Sequence, residues 1–537
     1  MPGGLRSWIR FGALAGALGF GSWLRLRGLS GLPLHGDEYH TLLAADSSYG
    51  SILTTFDRVG SHVALPLLQR LSLDVCGAGI VPFRLVAIVP GLLVLLLAYP
   101  LLRPFASADA AALASVALAL NPMSVYYSRF ARGYVLALFL ALLLGWAVRR
   151  VLDPSGRKRG SWSALIAAGA LLPWVHLSTL GFVLAAALAA LVLASRESRA
   201  LAWKVVGAFA AAGALAALLY LPVLGQVVSY FREMKPEPPP LDWFGVPTLL
   251  AGGHLAAWAW LALLALGVAL CWRERRAAVV LTAAALIGPL VLLLLTQPRG
   301  LDYAWARYLL SALPFLAALA SAGLTSLAGR LAPAGETLAF VLGTGLLLAQ
   351  HWTGPLGPRA ARDGSYGNTY LAMHALPAFD EPYPAMSEFY RRLASAASAR
   401  RIVELPPLFT RAVLLYRNYA LAHGKEALVG WTSELPRGIR RGPYVRPLEL
   451  EPGQVDYIVL HRDQTVEVPE YFRFVFEDVW PRLREQGDET FMLRQETIHP
   501  QNLVGADVTD GIAAQLRAKY GAASYKDERV LVWKLAP

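Results

Sequence analysis

The chain has 537 residues, of which 56% are hydrophobic and 16% are charged, and its mean hydropathy is +0.45. Soluble domains usually carry about 25% charged residues, so this composition excludes a disordered chain, a coiled coil and an ordinary soluble enzyme. The net charge is +12, but most of the charges lie between apolar runs. That placement is typical of a multispanning membrane protein and argues against nucleic-acid binding.

The N-terminal region has Arg6 and Arg10 before an apolar stretch and Arg25 and Arg27 after it. A secretory signal peptide would be expected to end in a small-residue cleavage site, and none is evident, so we expect a retained first membrane span. The two cysteines are too few for a disulfide framework.

Apolar stretches long enough to cross a membrane recur along the first two thirds of the chain. A spanning helix needs about 20 apolar residues, and we predict about eleven such helices. They lie near 8–27, 81–102, 107–125, 133–149, 161–175, 177–195, 203–223, 246–271, 277–296, 306–326 and 337–351. The fifth and sixth stretches are short enough to form one long span, but the positions of the charges favour two.

The basic residues between these stretches predict the topology, because cytoplasmic loops hold an excess of Lys and Arg. Three basic clusters share one side if the N-terminus is cytoplasmic: Arg149, Arg150, Arg157, Lys158 and Arg159; Arg196, Arg199 and Lys204; and Arg273, Arg275 and Arg276. The segments 28–80, 126–132, 224–245 and 297–305 then face the outside together. We therefore expect a multi-pass protein of the cell membrane, with an interfacial helix over residues 64–75.

The composition changes after about residue 352, where charged residues become frequent and spanning stretches end. We predict a transmembrane domain at 1–351 and an extracytoplasmic soluble domain at 352–537. The second domain is long enough to form its own core. Strand-like runs at 455–460 and 473–476 and a helix-like run at 408–423 predict a mixed α/β fold.

The first outside segment carries four polar residues, His35, Asp37, Glu38 and His40, directly after a membrane span. Carboxylates at a membrane surface are costly unless they are solvated or used. One interpretation is a general base whose neighbours tune its pKa or hold a metal. The other is a solvated loop in which Asp37 caps a helix, and the residues alone leave both open.

The turn after the third span contains Tyr127, Arg129, Arg132 and Tyr134, on a side where the charge rule does not expect arginine. The planar guanidinium group suits a phosphate or a carboxylate. The tyrosines suit a sugar face or the headgroup belt of the membrane. An anionic, lipid-linked ligand is one interpretation of this turn, and an interfacial belt explains the tyrosines alone.

A second outside edge near residue 300 contains Asp302, Arg307 and Tyr308. Arg307 either extends towards lipid phosphates in general or binds the phosphate of one particular lipid. His62 and His176 are isolated histidines on the same side, and isolated histidines are more often structural than functional. The sequence contains no P-loop, dinucleotide fingerprint, HExxH or CxxC motif, so neither ATP-driven chemistry nor a thiolate metal site is indicated.

Five motifs have the order and spacing of a known class of membrane enzymes. They are Gly36-Asp37-Glu38-Tyr39; Ser61-His62 through Pro66; Gly77, Phe83-Arg84-Leu85 and Pro90-Gly91; the run from Tyr127 to Tyr134; and Arg307-Tyr308 through Pro314. On these motifs, residues 1–350 resemble the GT-C class of polytopic glycosyltransferases, within it the protein mannosyltransferase and lipid A aminoarabinose transferase relatives of glycosyltransferase family 39. The chain differs from many relatives at Phe130, where they have glutamate, and at Val63-Ala64, where they have prolines.

The resemblance implies a polytopic α-helical GT-C fold and transfer of a sugar from a polyprenyl-phosphate donor to a hydroxyl group of a glycan, lipid or protein acceptor. It implies inversion at the sugar, with Asp37 as the catalytic base and Glu38 beside it. By the same resemblance the substrate-binding residues include His62, Arg84, Tyr127, Arg129, Arg132, Tyr134, Arg307 and Tyr308. We add His176 and Asp302 as candidates because they lie on the same outside face. No cofactor is certain, and a divalent metal with unknown ligands stays open.

Two other functions fit parts of the pattern. A transporter or flippase of a lipid-linked anion or sugar would also use arginines in a membrane cavity, but such proteins usually contain inverted repeats, and the sequence contains none that we can detect. A membrane-anchored binding protein would explain residues 352–537 but not the outside carboxylates and arginines.

Overall fold

The computed structural model describes residues 3–29, 36–56, 63–77, 79–233, 244–296, 302–332, 334–353, 387–405, 419, 423–430, 444–462 and 506–535. Two compact units make up the chain. The first contains residues 1–29, 40–77 and 81–376, and the second contains 30–39, 78–80 and 377–537.

Helices make up the described part of the chain up to residue 353. Their bounds are α1 Gly3–Leu26, α2 Gly36–Ala45, α3 Tyr49–Thr54, α4 Ala64–Cys76, α5 Ile80–Leu102, α6 Ala108–Leu120, α7 Pro122–Tyr127, α8 Tyr134–Leu152, α9 Arg159–Val175, α10 Leu180–Glu197, α11 Arg199–Tyr220, α12 Leu224–Glu233, α13 Gly245–Ala251, α14 His254–Cys271, α15 Arg276–Thr296, α16 Asp302–Tyr308, α17 Leu313–Leu331 and α18 Gly335–Thr353. Short 3-10 helices lie at Pro154–Gly156, Leu177–Thr179, Leu221–Val223 and Leu310–Ala312.

The stretches predicted to span the membrane are helical, but those predicted at 107–125, 246–271 and 306–326 are each divided between two or more helices. In the described residues, 7 segments are both long and apolar enough to cross a membrane: Ile80–Leu102, Tyr134–Leu152, Leu177–Glu197, Arg199–Glu233, His254–Cys271, Arg276–Thr296 and Leu310–Leu331. The prediction of a multi-pass membrane protein is therefore confirmed. The fifth and sixth predicted spans are separate helices, α9 and α10, as the charges indicated, and the predicted helix at 64–75 is α4.

Close helix crossings hold the first unit together where both helices carry glycine. A Cβ atom added to Gly181 of α10 would lie 2.2 Å from the carbonyl oxygen of Gly288 in α15. A Cβ atom added to Gly288 would lie equally close to the carbonyl oxygen of Gly181. A Cβ atom on Gly267 of α14 would lie 2.3 Å from the Leu319 oxygen of α17. Apolar side chains gain nothing by leaving lipid for a neighbouring helix, so backbone contact at small residues is a main source of cohesion in membranes.

The two ends of this helical unit differ in chemistry. At one end, the guanidinium group of Arg157, just before α9, contacts the carboxylate of Glu197 at the end of α10. The predicted basic clusters around 149–159 and 196–204 thus contact each other through this ion pair. The opposite end contains the starts of α8 and α10 and the end of α9, and it is described with the candidate site.

The second unit contains a six-stranded sheet and two described helices. The strands are β1 Arg401–Leu405, β2 Glu426–Gly430, β3 Tyr444–Val445, β4 Tyr457–His461, β5 Tyr525–Lys526 and β6 Val530–Lys534, and the helices are α19 Glu388–Ser395 and α20 Ala506–Tyr520. The order across the sheet is β3-β2-β1-β4-β6-β5. Strands β1 to β4 pair in parallel, whereas β6 pairs antiparallel with β4 and β5.

This unit confirms the predicted mixed α/β fold. Its central strands are buried over most of their length, as expected for parallel strands covered on both faces. The strand predicted at 455–460 is β4, whereas the strand predicted at 473–476 and most of the helix predicted at 408–423 lie outside the described residues. The domain boundary predicted after residue 351 stays a prediction, because residues 354–386 are also outside them.

Candidate active site

A fully buried arginine anchors the end of α1 to the connection between α6 and α7. The guanidinium group of Arg25 donates to the carbonyl oxygens of Gly21 and Ala119 at 3.0 Å each and of Leu118 at 3.2 Å. It also donates to the hydroxyl groups of Ser124 at 2.9 Å and Ser128 at 3.1 Å. Charged donors in a low-dielectric interior form strong hydrogen bonds, so this side chain fixes the turn that follows α7.

We call this turn, residues 128–133, the arginine turn. It is packed tightly on two sides. A Cβ atom at Gly91 of α5 would lie 2.4 Å from the Ser128 hydroxyl oxygen, and one at Gly133 would lie 3.1 Å from a methyl group of Val175. Glycine at both positions therefore allows the turn to approach α5 and the end of α9. The bulk of any other side chain would displace it.

Helix α4 fastens the middle of the arginine turn. The side-chain amide nitrogen of Gln69 donates to the carbonyl oxygen of Ala131 at 2.9 Å, and both residues are fully buried. The other amide atom, the oxygen of Gln69, has no hydrogen-bond partner in the part of the chain that the structure describes. A single side chain thus holds the backbone between the two arginines of the turn.

Positive charge converges where α1, α5 and the arginine turn meet. The guanidinium group of Arg129 donates to the Leu24 carbonyl oxygen at 2.6 Å. Its burial, and next the charges of Arg84, Arg27 and Arg25, lower the pKa of Arg129 to about 9, so it remains a cation at neutral pH. Arg84 of α5 is itself buried and lies 3.5 Å from the Leu29 carbonyl oxygen. We call Arg25, Arg27, Arg84 and Arg129 the arginine cluster.

The second arginine of the turn reaches helix α2. One guanidinium nitrogen of Arg132 donates to the hydroxyl oxygen of Thr41 at 3.0 Å. Positions 37 and 38 lie four and three residues before Thr41 in the same helix, which places them about one turn earlier along it. The side chain of Glu38 is fully buried.

Aromatic rings from four segments meet beside the arginine turn. The ring of Tyr134 lies 4.8 Å from that of Tyr127, 5.0 Å from His176 and 6.2 Å from Tyr308, and His176 lies 5.4 Å from Tyr308. The guanidinium carbon of Arg307 lies 5.4 Å from the Tyr134 ring and 5.2 Å from the Tyr308 ring. A cation within about 6 Å of an aromatic ring is attracted to its face. We call these five residues the ring cluster.

The orientation of His176 is set by its own segment. Its Nδ1 atom lies 2.7 Å from the hydroxyl oxygen of Ser178, and its carbonyl oxygen accepts from the Thr179 hydroxyl at 2.7 Å. The sequence offered His176 as an isolated histidine. The structure instead packs it between two predicted substrate-binding tyrosines, Tyr134 and Tyr308.

The described residues therefore bring together many of the residues predicted for the site. Arg84 and Arg129 lie in the arginine cluster, and Tyr127, Tyr134, His176, Arg307 and Tyr308 lie in or against the ring cluster. The structure does not describe the side chains of three predicted site residues. His62 lies outside the described residues, and only the helical backbone is described at Asp37 and Asp302.

Four contributors to this region were not predicted from the sequence as site residues: Arg25, Arg27, Thr41 and Gln69. A signal did exist for two of them. Arg25 is a charge at the end of an apolar span, and such a residue is costly in a membrane unless it has partners inside the protein. Gln69 interrupts the apolar sequence of α4, where the sequence indicated only a helix along the membrane surface.

A resident metal finds no support in the described residues, where no group of three or more His, Cys, Asp and Glu side chains lies close enough to hold an ion. The side chains of Asp37 and Asp302 are not among the residues searched. The side chains brought together at the described site are mainly guanidinium groups and aromatic rings. Such a set binds an anion such as a phosphate next to a ligand with an apolar face.

The comparisons with known proteins point in the same direction. The family model of dolichyl-phosphate-mannose-protein mannosyltransferases matches residues 63–226, a range that includes the arginine turn. No curated protein sequence matches the chain.

Solved structures match over nearly the whole chain. ArnT from Cupriavidus metallidurans in the apo state has a TM-score of 0.51 and 13% identity, with 97% of this chain and 98% of that chain covered. The same protein bound to undecaprenyl phosphate also has a TM-score of 0.51, with 14% identity over 87% of this chain and 94% of that one. The Archaeoglobus fulgidus oligosaccharyltransferase in complex with Zn and sulfate has a TM-score of 0.41 and 12% identity, covering 83% of this chain and 67% of that chain.

The predicted resemblance is confirmed by this family match and by the shared fold. At this identity the ArnT structures show the architecture alone. The sugar, the acceptor and the role of each residue have to be argued from this chain.

Proposed function

We infer that this chain, a multi-pass membrane protein with the GT-C fold, transfers a sugar from a polyprenyl-phosphate donor to a hydroxyl group of an acceptor at the outer face of the membrane. The observation that carries this proposal is the convergence of the arginine cluster with the ring cluster at one turn. The match to a family of lipid-phosphate-dependent mannosyltransferases over residues 63–226 supports it. So does the binding of undecaprenyl phosphate by the structurally similar ArnT.

The arginine cluster is the proposed phosphate site. Two predicted residues, Arg84 and Arg129, lie there, and the charge of Arg84 is close enough to lower the pKa of Arg129. As the bond between the sugar and the phosphate breaks, negative charge grows on the lipid phosphate. Fixed cations in a water-poor site stabilise such charge far better than they would in water. The buried cluster would therefore act most strongly in the transition state, which is the requirement for catalysis.

The ring cluster is the proposed environment of the sugar and of the first part of the lipid chain. Aromatic faces such as those of Tyr134 and Tyr308 suit the apolar face of a sugar, and Arg307 adds a cation beside them. Because Arg129 lies in the arginine turn and the ring-cluster residues Tyr127 and Tyr134 flank it, a ligand that bridges the two clusters would have its phosphate and its sugar held by one continuous segment. Such positioning can lower a reaction barrier substantially.

Asp37 is the proposed catalytic base, on the strength of the motif resemblance. Its carboxylate takes the proton of the acceptor hydroxyl, whose oxygen attacks the anomeric carbon from the face opposite the phosphate. The bond from that carbon to the phosphate oxygen breaks, and its electron pair leaves on the lipid phosphate. Support for this location comes from helix α2, which carries position 37 one turn before Thr41, the residue that Arg132 contacts. Glu38 or His62 would orient the acceptor.

The test is the release of free polyprenyl phosphate from a panel of polyprenyl-phosphate sugars by the purified protein in lipid nanodiscs. Acceptors extracted from a bacterial envelope are supplied, with and without a metal chelator. We expect turnover with at least one sugar and a loss of at least 1000-fold in kcat in Asp37→Asn, on the order of general-base and positioning effects combined.

Asp46→Asn is the matched control. It makes the same change at an exposed aspartate directly after the same helix, so its activity should remain close to that of the wild type. Equal loss in both variants, or full activity in Asp37→Asn, would refute the assignment of the base. Binding of the lipid without release of phosphate from any donor would instead favour transport of a lipid-linked anion.

A further inference from the structure

The second unit contains a buried polar cluster that the transfer reaction does not use. Glu404 and His461 lie at the ends of β1 and β4, and Tyr390 of α19 joins them. The Tyr390 hydroxyl group donates to Oε2 of Glu404 at 2.7 Å and lies 2.8 Å from Nε2 of His461. That histidine nitrogen lies 2.9 Å from the same carboxylate oxygen. All three side chains are buried, with Glu404 at 0% exposure.

The position of this cluster in the sheet is informative. From β1 the chain continues to β2 and β3 on one side, and β4 then pairs with the other side of β1. The strand order therefore reverses between β1 and β4. Glu404 is the penultimate residue of β1 and His461 the last residue of β4, so both lie at the carboxyl ends of these parallel strands. In open parallel sheets, ligands bind at the carboxyl edge where the strand order reverses.

His423 packs against this cluster through the Tyr390 ring. Two buried polar atoms here have no hydrogen-bond partner among the described residues: Oε1 of Glu404 and Nε2 of His423. The roles of these atoms can be assigned. Nδ1 of His423 accepts from the backbone N–H of Lys425 at 3.0 Å, so the proton of the neutral ring lies on Nε2. Burial, and next the charge of Lys425, lower the pKa of His423 to about 4, which keeps the ring neutral at pH 7. One atom is thus an acceptor and the other a donor.

Glu404 and His423 both contact Tyr390. The His423 ring is stacked on Tyr390 with 5.6 Å between centroids, and the Tyr390 hydroxyl group contacts the Glu404 carboxylate. Tyr419 adds a further ring, 4.5 Å from Tyr390. A buried polar atom without a partner costs roughly 1–3 kcal/mol. A hydroxyl group can donate to the carboxylate and accept from the N–H, and adjacent hydroxyl groups can satisfy both atoms together.

We propose that the carboxyl edge between β1 and β4 is a saccharide-binding site, in which Glu404 accepts from one ligand hydroxyl and the N–H of His423 donates to another. Tyr390 holds the carboxylate through its hydroxyl group. The three residues that carry the site, Tyr390, Glu404 and His423, are not among those proposed for sugar transfer. Its ligand is a hydroxyl-rich sugar, either free or as part of a larger glycan.

Saturation-transfer difference NMR on the full-length protein in nanodiscs tests this site. The probes are the methyl glycosides of glucose, mannose, galactose, arabinose and xylose. We expect saturation of at least one glycoside by the wild type, and a loss of affinity of at least tenfold in Glu404→Gln, which keeps the shape of the side chain but removes its charge. His423→Phe, which keeps a ring against Tyr390 but removes the N–H, should lose affinity similarly.

Glu426→Gln is the matched control, because it makes the same change in the neighbouring strand β2 at an exposed side chain paired with Arg401. It should bind like the wild type. Asp37→Asn should also retain binding, which separates this site from the proposed transfer site. No saturation of any glycoside by the wild type would overturn the proposal. So would unchanged affinity in Glu404→Gln and His423→Phe with thermal unfolding midpoints equal to that of the wild type.

Discussion

Replacing Gln69 by leucine is the most direct perturbation of the arginine turn. Leucine has nearly the same volume as glutamine, so α4 keeps its packing, but the hydrogen bond to the Ala131 carbonyl oxygen is lost. The loss of one buried hydrogen bond costs about 0.5–1.5 kcal/mol. The variant also removes the buried amide oxygen of Gln69, which has no partner among the described residues, and this offsets part of the cost.

The expected result concerns ligand affinity more than folding. If the hydrogen bond holds the backbone between Arg129 and Arg132 in its phosphate-binding geometry, about 1.4 kcal/mol of lost ordering weakens polyprenyl phosphate binding about tenfold. Inhibition of the transfer reaction by free polyprenyl phosphate measures this affinity. We expect the inhibition constant to rise about tenfold in Gln69→Leu, with a smaller effect on kcat.

Ser72→Ala supplies the control for this experiment. Ser72 lies one turn later on α4 and also donates to a backbone carbonyl oxygen, that of Pro82 at 2.6 Å, but it does not touch the arginine turn. Both variants should lower the thermal unfolding midpoint by similar amounts, and only Gln69→Leu should alter the inhibition constant. Equal inhibition constants in the two variants would refute the positioning role of Gln69.

Three further changes have defined outcomes. Arg307→Lys keeps the charge but removes the planar group over Tyr134, so we expect the KM for the donor to rise about tenfold; an unchanged KM would refute that role. Gly181→Val forces α10 away from Gly288 and should cost about 1–3 kcal/mol of stability in thermal unfolding, whereas Gly207→Val, where nothing lies within 4 Å, should cost less. For His423, burial and then a nearby lysine lower the pKa from 6.5 to about 4, so the second unit should be fully stable above pH 6.5 and lose up to about 3 kcal/mol towards pH 4. Pulse proteolysis in urea should show this loss in the wild type and a flatter profile in His423→Gln.

The helices of the first unit could be predicted because their signal is local. About 20 consecutive apolar residues suffice to identify a span, and charges at the ends of α8, α10 and α14 separated neighbouring spans. The division of 161–195 into α9 and α10 depended only on which side of the membrane the basic clusters should face. Similarly, the β-rich apolar run at 455–460 identified a buried strand. The pairing order of the sheet was not predictable, because it depends on contacts between distant segments.

The candidate site was predictable in its residue types but not in its arrangement. Arg129 and Arg307 were noticeable because arginine breaks the expected pattern of an outside membrane edge. The grouping of Arg307 and Tyr134 with His176 depends on where α8, α9 and α16 begin and end in space, which no local pattern encodes. Gln69 was missed for a different reason, because a single polar residue in an amphipathic helix is equally consistent with a wet surface.

The glycine crossing between α10 and α15 has a consequence for how the protein is made. Gly181 and Gly288 contact each other through their backbones, yet they are separated by on the order of 100 residues, which at ordinary synthesis rates takes about 5–20 s to translate. During that interval α10 is in the membrane with its small-residue surface facing lipid or the insertion machinery. Factors that shield partly assembled helices would therefore act on this protein at α10, and slowing translation between the two helices would extend their opportunity to do so.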